Sequence, residues 1–316
     1  MIRRLALVLA VIIGITGFGT AFGSGQYGTT EAYAATEPPT IIGEAGILID
    51  GTTGEILYTK NEHMQLEPAS TTKMITCLLA LENLDEEQVL IIDQETSFTE
   101  GSRIYLIEDE QITVENVLYA LMLESANDAA VGLGKAISGS VAEFAVKMNA
   151  RAKELGALNT NFVNPHGLHA DGHLSTVYDL AMIAKGCMEN ERFRELVTTY
   201  YHNIPATNKQ PERHMYNTNR LLYDERTKVP VGNEMRPAKY DGILGVKTGY
   251  TSHAGGCLVA AAERNGTYLI AAVMKSTDEG RFGDCIALLD YGFENYHTVQ
   301  AVDMTTPMGT MEVFNI

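Results

Sequence analysis

Glu67-Pro68-Ala69-Ser70-Thr71-Thr72-Lys73-Met74-Ile75-Thr76 is the stretch on which the reading of this chain turns. Pro68 and Ala69 suit the opening of a helix, and Met74 to Leu81 is apolar almost all round, the pattern of a buried helix. In such a helix residues 70 and 73 share a face within side-chain reach. Ser70 then stands in the first turn, where unpaired N–H groups and the helix dipole favour developing negative charge. A serine hydroxyl attacks poorly until a base removes its proton, and Lys73 is spaced to do that. Alone, Ser-x-x-Lys is most often solvated helix surface.

Two more motifs change its weight. Ser125-Ala126-Asn127 ends an apolar stretch, and Lys247-Thr248-Gly249 follows Gly242-Ile243-Leu244-Gly245-Val246. Ser-x-x-Lys, Ser-x-Asn and Lys-Thr-Gly, in that order, form the signature of penicillin-binding proteins and serine β-lactamases. With Phe162-Val163-Asn164-Pro165-His166-Gly167-Leu168 and Lys247-Thr248-Gly249-Tyr250-Thr251, the chain closely resembles the low-molecular-mass D-alanyl-D-alanine carboxypeptidases (peptidase S11 family) from about Ile41 to Tyr296. Ala126 matches that group rather than the Ser-Asp-Asn of many β-lactamases. The resemblance implies an α/β (α+β) fold like that of serine β-lactamases and penicillin-binding proteins, acting on peptidoglycan stem peptides and acylated by β-lactams.

The pattern of elements points the same way. Ala45 to Ile49 and Glu55 to Thr59 flank Asp50-Gly51-Thr52-Thr53-Gly54, a hairpin signal. Gly255 to Glu263 and Thr267 to Met274 flank Asn265-Gly266, the strongest short hairpin turn, and Ile243 to Thr248 reads as a third strand beside them. Between these ends nearly everything has helical period: Val114 to Leu123, Val141 to Leu155 and Thr176 to Met188, with Asp284 to Phe293 as a last helix. Strands at both ends of the chain predict an antiparallel sheet covered by helices, with an inserted helical lobe.

Each group has an expected task. Ser70 is the nucleophile that forms an acyl-enzyme on the penultimate D-Ala. Lys73 is its general base, provided that burial and a second cation, Lys247, lower its proton affinity; a lysine that stays charged and only orients Ser70 is the alternative. Ser125 passes a proton to the leaving amine, and Asn127 offers its amide to substrate and to Lys73. Lys247 and the Thr248 hydroxyl suit the terminal carboxylate, and Gly249 leaves room for backbone approach. By the resemblance, the N–H of Tyr250 joins that of Ser70 as an oxyanion hole. A β-lactamase, a D,D-endopeptidase and a catalytically idle penicillin-binding sensor would share these motifs.

His166, His169, His173 and Asp171 fall in a loop rich in helix breakers without zinc-like spacing, so no metal site is expected; no cofactor is implied either. Glu154-Leu155-Gly156-Ala157-Leu158-Asn159 is one residue too long for the Glu-x-x-Leu-Asn element of class A β-lactamases. Without that glutamate a penicillin adduct should hydrolyse slowly.

The 316 residues carry a formal charge of −17, which argues against a nucleic-acid partner. Arg3 and Arg4, the apolar run Leu5 to Phe18 and Ala32-Tyr33-Ala34 describe a secretory signal peptide over residues 1–34, an uncleaved anchor being the alternative. The catalytic domain is expected over residues 35–296 and a tail over 297–316, where Val299 to Val302 and Met311 to Phe314 read as strands starting a second domain. Cys77, Cys187, Cys257 and Cys285 lie in apolar segments and read as buried free thiols. Membrane attachment stays open.

Overall fold

The structure, a computed structural model, describes residues 36–296; the leader and the two tail strands read from the sequence lie outside the described residues. The chain begins with β1 (Ala45–Asp50) and β2 (Ile56–Lys60), then enters α1 (Lys73–Asn83). There follow β3 (Val89–Ile91), the single turn α2 (Gln94–Ser97), β4 (Gln111–Thr113), α3 (Val114–Leu123), α4 (Asn127–Ser138) and α5 (Val141–Glu154). Next come α6 (Val177–Met188), α7 (Glu191–Thr198) and two ribbons, β5 (Tyr201–Ile204) with β6 (Arg213–Tyr216) and β7 (Lys228–Val231) with β8 (Glu234–Pro237). The chain returns through β9 (Ile243–Thr251), β10 (Gly255–Arg264) and β11 (Thr267–Ser276) to α8 (Gly280–Asn295).

The main sheet is antiparallel, in the order β2-β1-β11-β10-β9, so the two chain ends meet where β1 pairs β11. Successive strand residues point to opposite faces, and here both faces are covered. Leu258, Ala260, Ala262, Leu269, Ala271 and Val273 pack with Phe282, Ile286 and Leu289 of α8. Val259, Ala261, Ile270, Ala272 and Met274 belong to a second core with α1, α3 and α6. Burial on both sides is why these strands read as unbroken apolar runs. Asn265 and Gly266 both take positive φ, as a two-residue hairpin turn requires.

Apart from α8, the helices read from the sequence lie between β2 and β9, and α1 is buried without a break from Lys73 to Ala80. Thr113, Ser140, Thr176 and Asn190 cap α3, α5, α6 and α7, each accepting the backbone N–H three residues on. One expectation needs correction, because the middle of the chain is not almost wholly helical. It also carries the ribbons β3–β4, β5–β6 and β7–β8. Their strands have three or four residues and at most one buried side chain each, too few to leave a period-two signal.

Candidate active site

Ser70 sits in a 3₁₀ turn, Ala69–Thr72, that runs straight into α1, so the first turn of the expected helix is the tighter form. The Pro68 carbonyl holds the turn by accepting from the Thr71 N–H at 3.3 Å and the Thr71 hydroxyl at 2.7 Å. Lys73 opens α1 fully buried. Its Nζ lies 3.0 Å from Ser70 Oγ and donates at 2.7 Å to Asn127 Oδ1 and at 2.8 Å to the His166 carbonyl.

Asn127 begins α4 and is itself fixed. Its backbone N–H reaches the Ser102 carbonyl and its Nδ2 the Glu100 carbonyl, both at 2.7 Å. One Nδ2 hydrogen is therefore committed within the protein. Ser125 lies between α3 and α4 with φ of 59°, a left-handed conformation that costs a non-glycine residue about 1–2 kcal/mol. That turn leaves its hydroxyl buried and without a hydrogen-bond partner among the described residues.

The third motif arrives on the edge strand. A Cβ added to Gly249 would stand 3.0 Å from the Ser70 nitrogen and 3.1 Å from the Pro68 carbonyl, so β9 lies directly against the 3₁₀ turn. Lys247 is buried, with Nζ 3.2 Å from the Thr248 carbonyl. The Thr248 hydroxyl bonds the Thr218 hydroxyl at 2.7 Å, and Tyr250, two residues further on, is exposed. All three motifs therefore meet at the end of β9 and the start of α1.

Electrostatics separate the two lysines only in degree. Burial pushes the Lys73 ammonium well below the ordinary lysine range, the charge of Lys247 adds to this, and Asp128 opposes it. Burial and the Arg281 guanidinium push Lys247 down to about 7, against Glu124. Arg281 also donates at 2.7 Å to the Gly249 carbonyl, fixing the strand.

The histidine loop builds a wall. The Val163 N–H donates to His173 Nδ1 at 3.0 Å, so the ring's proton is on Nε2, which donates to the Thr72 hydroxyl at 2.9 Å. Asn164 Oδ1 accepts from Gly167 N–H at 2.7 Å, and the Thr76 hydroxyl donates to the Pro165 carbonyl at 2.7 Å. This bracing aims the His166 carbonyl at Lys73. Burial and nearby Lys73 push His166 down to about 3 and His173 to about 4, keeping both neutral. His169 is outside the cluster, bonded to Glu67 at 2.8 Å and stacked on His253 at 4.2 Å. Glu154 pairs with Arg151 at 3.0 Å on the exposed end of α5.

Sequence reasoning missed Thr218, Arg281 and the carbonyls of His166 and Glu100. The carbonyls carry no side-chain signal at all. Thr218 and Arg281 lie 30 residues before Thr248 and 32 after Gly249, so only folding brings them in.

Comparison with solved structures places this arrangement. A mutant of a Streptomyces DD-transpeptidase superposes with a TM-score of 0.72 at 33% identity, covering 81% of this chain and 99% of that one. A D-alanyl-D-alanine carboxypeptidase from Mycobacterium tuberculosis gives 0.73 at 29% identity, over 82% of this chain and 94% of that one. Fold and site thus define a serine peptidase with the penicillin-binding-protein, β-lactamase-like architecture. The chain matches the family described as D-alanyl-D-alanine carboxypeptidase over residues 32–278. It is 36% identical to the carboxypeptidase DacF of Bacillus subtilis over 304 residues, 94% of this chain and 72% of that protein. The chain belongs to the D-alanyl-D-alanine carboxypeptidase family of serine peptidases.

Proposed function

We propose that the protein is an exported carboxypeptidase that removes the terminal D-Ala from peptidoglycan stem pentapeptides through an acyl-enzyme on Ser70. The observation that carries this is the set of acceptors around Lys73 Nζ. A neutral amine has two N–H bonds and one lone pair. With the two hydrogens on Asn127 Oδ1 and the His166 carbonyl, the lone pair is left for the Ser70 O–H, the arrangement of a general base.

Lys73 takes the Ser70 proton as Oγ attacks the penultimate D-Ala carbonyl. The oxyanion draws on the N–H groups of Ser70 and Tyr250, which the close approach of Gly249 brings to one side of the carbonyl. Ser125, its hydroxyl otherwise unpartnered, hands a proton to the departing nitrogen, and water then releases the shortened peptide. Lys247 and the Thr248 hydroxyl, oriented by Thr218, take the terminal carboxylate. The pairing of Glu154 with Arg151 leaves the acyl group no class A deacylating glutamate from that element, which supports lasting inhibition by β-lactams. Export is supported by Arg3, Arg4 and the apolar run that follows.

The test compares the protein with its Ser70→Ala variant. D-Ala release from a peptide ending in Lys-D-Ala-D-Ala and covalent labelling by penicillin should both vanish in the variant. Labelling that survives would sink the assignment of Ser70.

A further inference from the structure

A cavity of about 390 Å³ lies between the segment 103–105 and strand β6, with Glu124 in its wall. Two of its lining residues adjoin the catalytic cluster along the chain. Glu124 directly precedes Ser125, and the carbonyl of Ser102, next to Arg103, accepts the Asn127 N–H at 2.7 Å. The same segment is tied to α4 by the Ile104 and Leu106 N–H groups, which donate to the Asp128 carboxylate at 3.3 and 3.0 Å.

Its chemistry is specific. Arg213, in the lining, is already neutralised by Glu110 and also donates to the Ile104 carbonyl. Arg103 and Glu124 make no ion pair among the described residues, with each other or elsewhere. Each is nevertheless held in place. Arg103 donates to the Thr99 carbonyl at 3.3 Å and lies 4.9 Å over the Tyr105 ring. Glu124 accepts the Tyr216 N–H at 2.9 Å. Ile104, Tyr105 and Met215 supply apolar surface between them. The cavity thus offers one open cation, one open anion and a greasy wall.

In the proposed reaction the acyl carbonyl belongs to the fourth residue of the stem peptide. The Cα of the third residue is one spacing upstream, about 3.8 Å, and its side chain is the first long one beyond the reacting bond. We infer that this cavity receives the end of that side chain and selects a diamino dicarboxylic residue, whose terminus is a free α-amino acid group. The carboxylate pairs with Arg103, the ammonium with Glu124, and the methylenes lie along Ile104, Tyr105 and Met215. A plain lysine side chain satisfies Glu124 and leaves Arg103 open. The inference rests on the carboxypeptidase reading and names its substrate class.

The test measures kcat/KM for D-Ala release from three pentapeptides that differ only at the third residue. These carry meso-diaminopimelate, its side-chain carboxamide, and lysine. The intact protein should favour the diaminopimelate peptide about tenfold over the other two, the scale of one charged hydrogen-bonded pair. Arg103→Gln should bring that ratio close to one, and Arg103→Lys should restore part of it. Equal rates for the three peptides, or a ratio that Arg103→Gln leaves intact, overturns the assignment of the cavity while the carboxypeptidase reading stands. If none of the peptides releases D-Ala from protein that penicillin still labels, that reading falls and the inference falls with it.

Discussion

Lys247 and Lys73 are both buried and both pushed down from the ordinary lysine range, and the proposed mechanism needs them in opposite states. Lys73 acts as a base only when neutral; Lys247 binds a carboxylate only when charged. Because burial with Arg281 brings Lys247 to about 7 in the free protein, rising pH removes its proton above that value. For peptides with a free terminal carboxylate, kcat/KM should fall as pH climbs from 7 to 9, by about tenfold per unit once the group has titrated. Matching peptide amides should lack that descending limb. Lys247→Arg keeps its charge at any working pH, so the limb should flatten for acids. A limb shared by acids and amides would remove Lys247 from the carboxylate site.

At the level of elements, the segment between α5 and α6 holds the carbonyl that Lys73 meets. It is clamped at its two ends, where Asn161 pairs Leu174 and Ser175 pairs Leu66 through backbone hydrogen bonds of 2.8 to 3.1 Å. Gly167 lets it settle on the 3₁₀ turn, since a Cβ there would lie 1.9 Å from the Ala69 carbonyl oxygen. His173 closes the bracing with both ring nitrogens engaged, one accepting and one donating. Protonation would set a second N–H against that of Val163. His173 is held near 4 in the fold by burial and by Lys73, below the 6.5 of a free histidine. The unfolded chain therefore takes the proton first, and stability present above pH 6.5 is lost as pH falls toward 4. The loss should be on the order of 2–3 kcal/mol, discounted for the small remaining exposure. Thermal melts between pH 7 and pH 4 should show a shallower fall in His173→Gln, which keeps a donor and an acceptor and does not titrate. Parallel curves for the two proteins would show that His173 carries none of the acid sensitivity.

For the whole molecule, the two buried cores leave the four cysteines sealed. Cys77, Cys187, Cys257 and Cys285 are free thiols, all buried, and burial raises each above the ordinary thiol range, Cys257 to about 11. A thiol-reactive dye should label none of them in the native protein and all of them in denaturant, with the melting temperature unmoved by reductant; native labelling would refute the sealed cores. The same burial governs what was legible. Strands β1, β10 and β11 and helix α1 lie between covered faces, so their apolar runs are long. By contrast, α4 does not stand out because Asp128-Ala129-Ala130-Val131-Gly132-Leu133-Gly134 is built of small residues with two glycines, which weaken helix propensity. The short ribbons bury too little to leave a pattern. What the sequence alone determined is the identity and order of the reactive side chains, the sheet made from both chain ends and the buried character of α1, because local spacing and hydrophobic period encode them. The tertiary structure alone decided that the His166 carbonyl, Asn127 and Ser70 gather around Lys73 Nζ, that the Thr218 hydroxyl meets that of Thr248, and that Arg103 and Glu124 face one cavity. Those facts depend on backbone carbonyls and on contacts between residues far apart in the chain, and neither leaves a trace in local sequence.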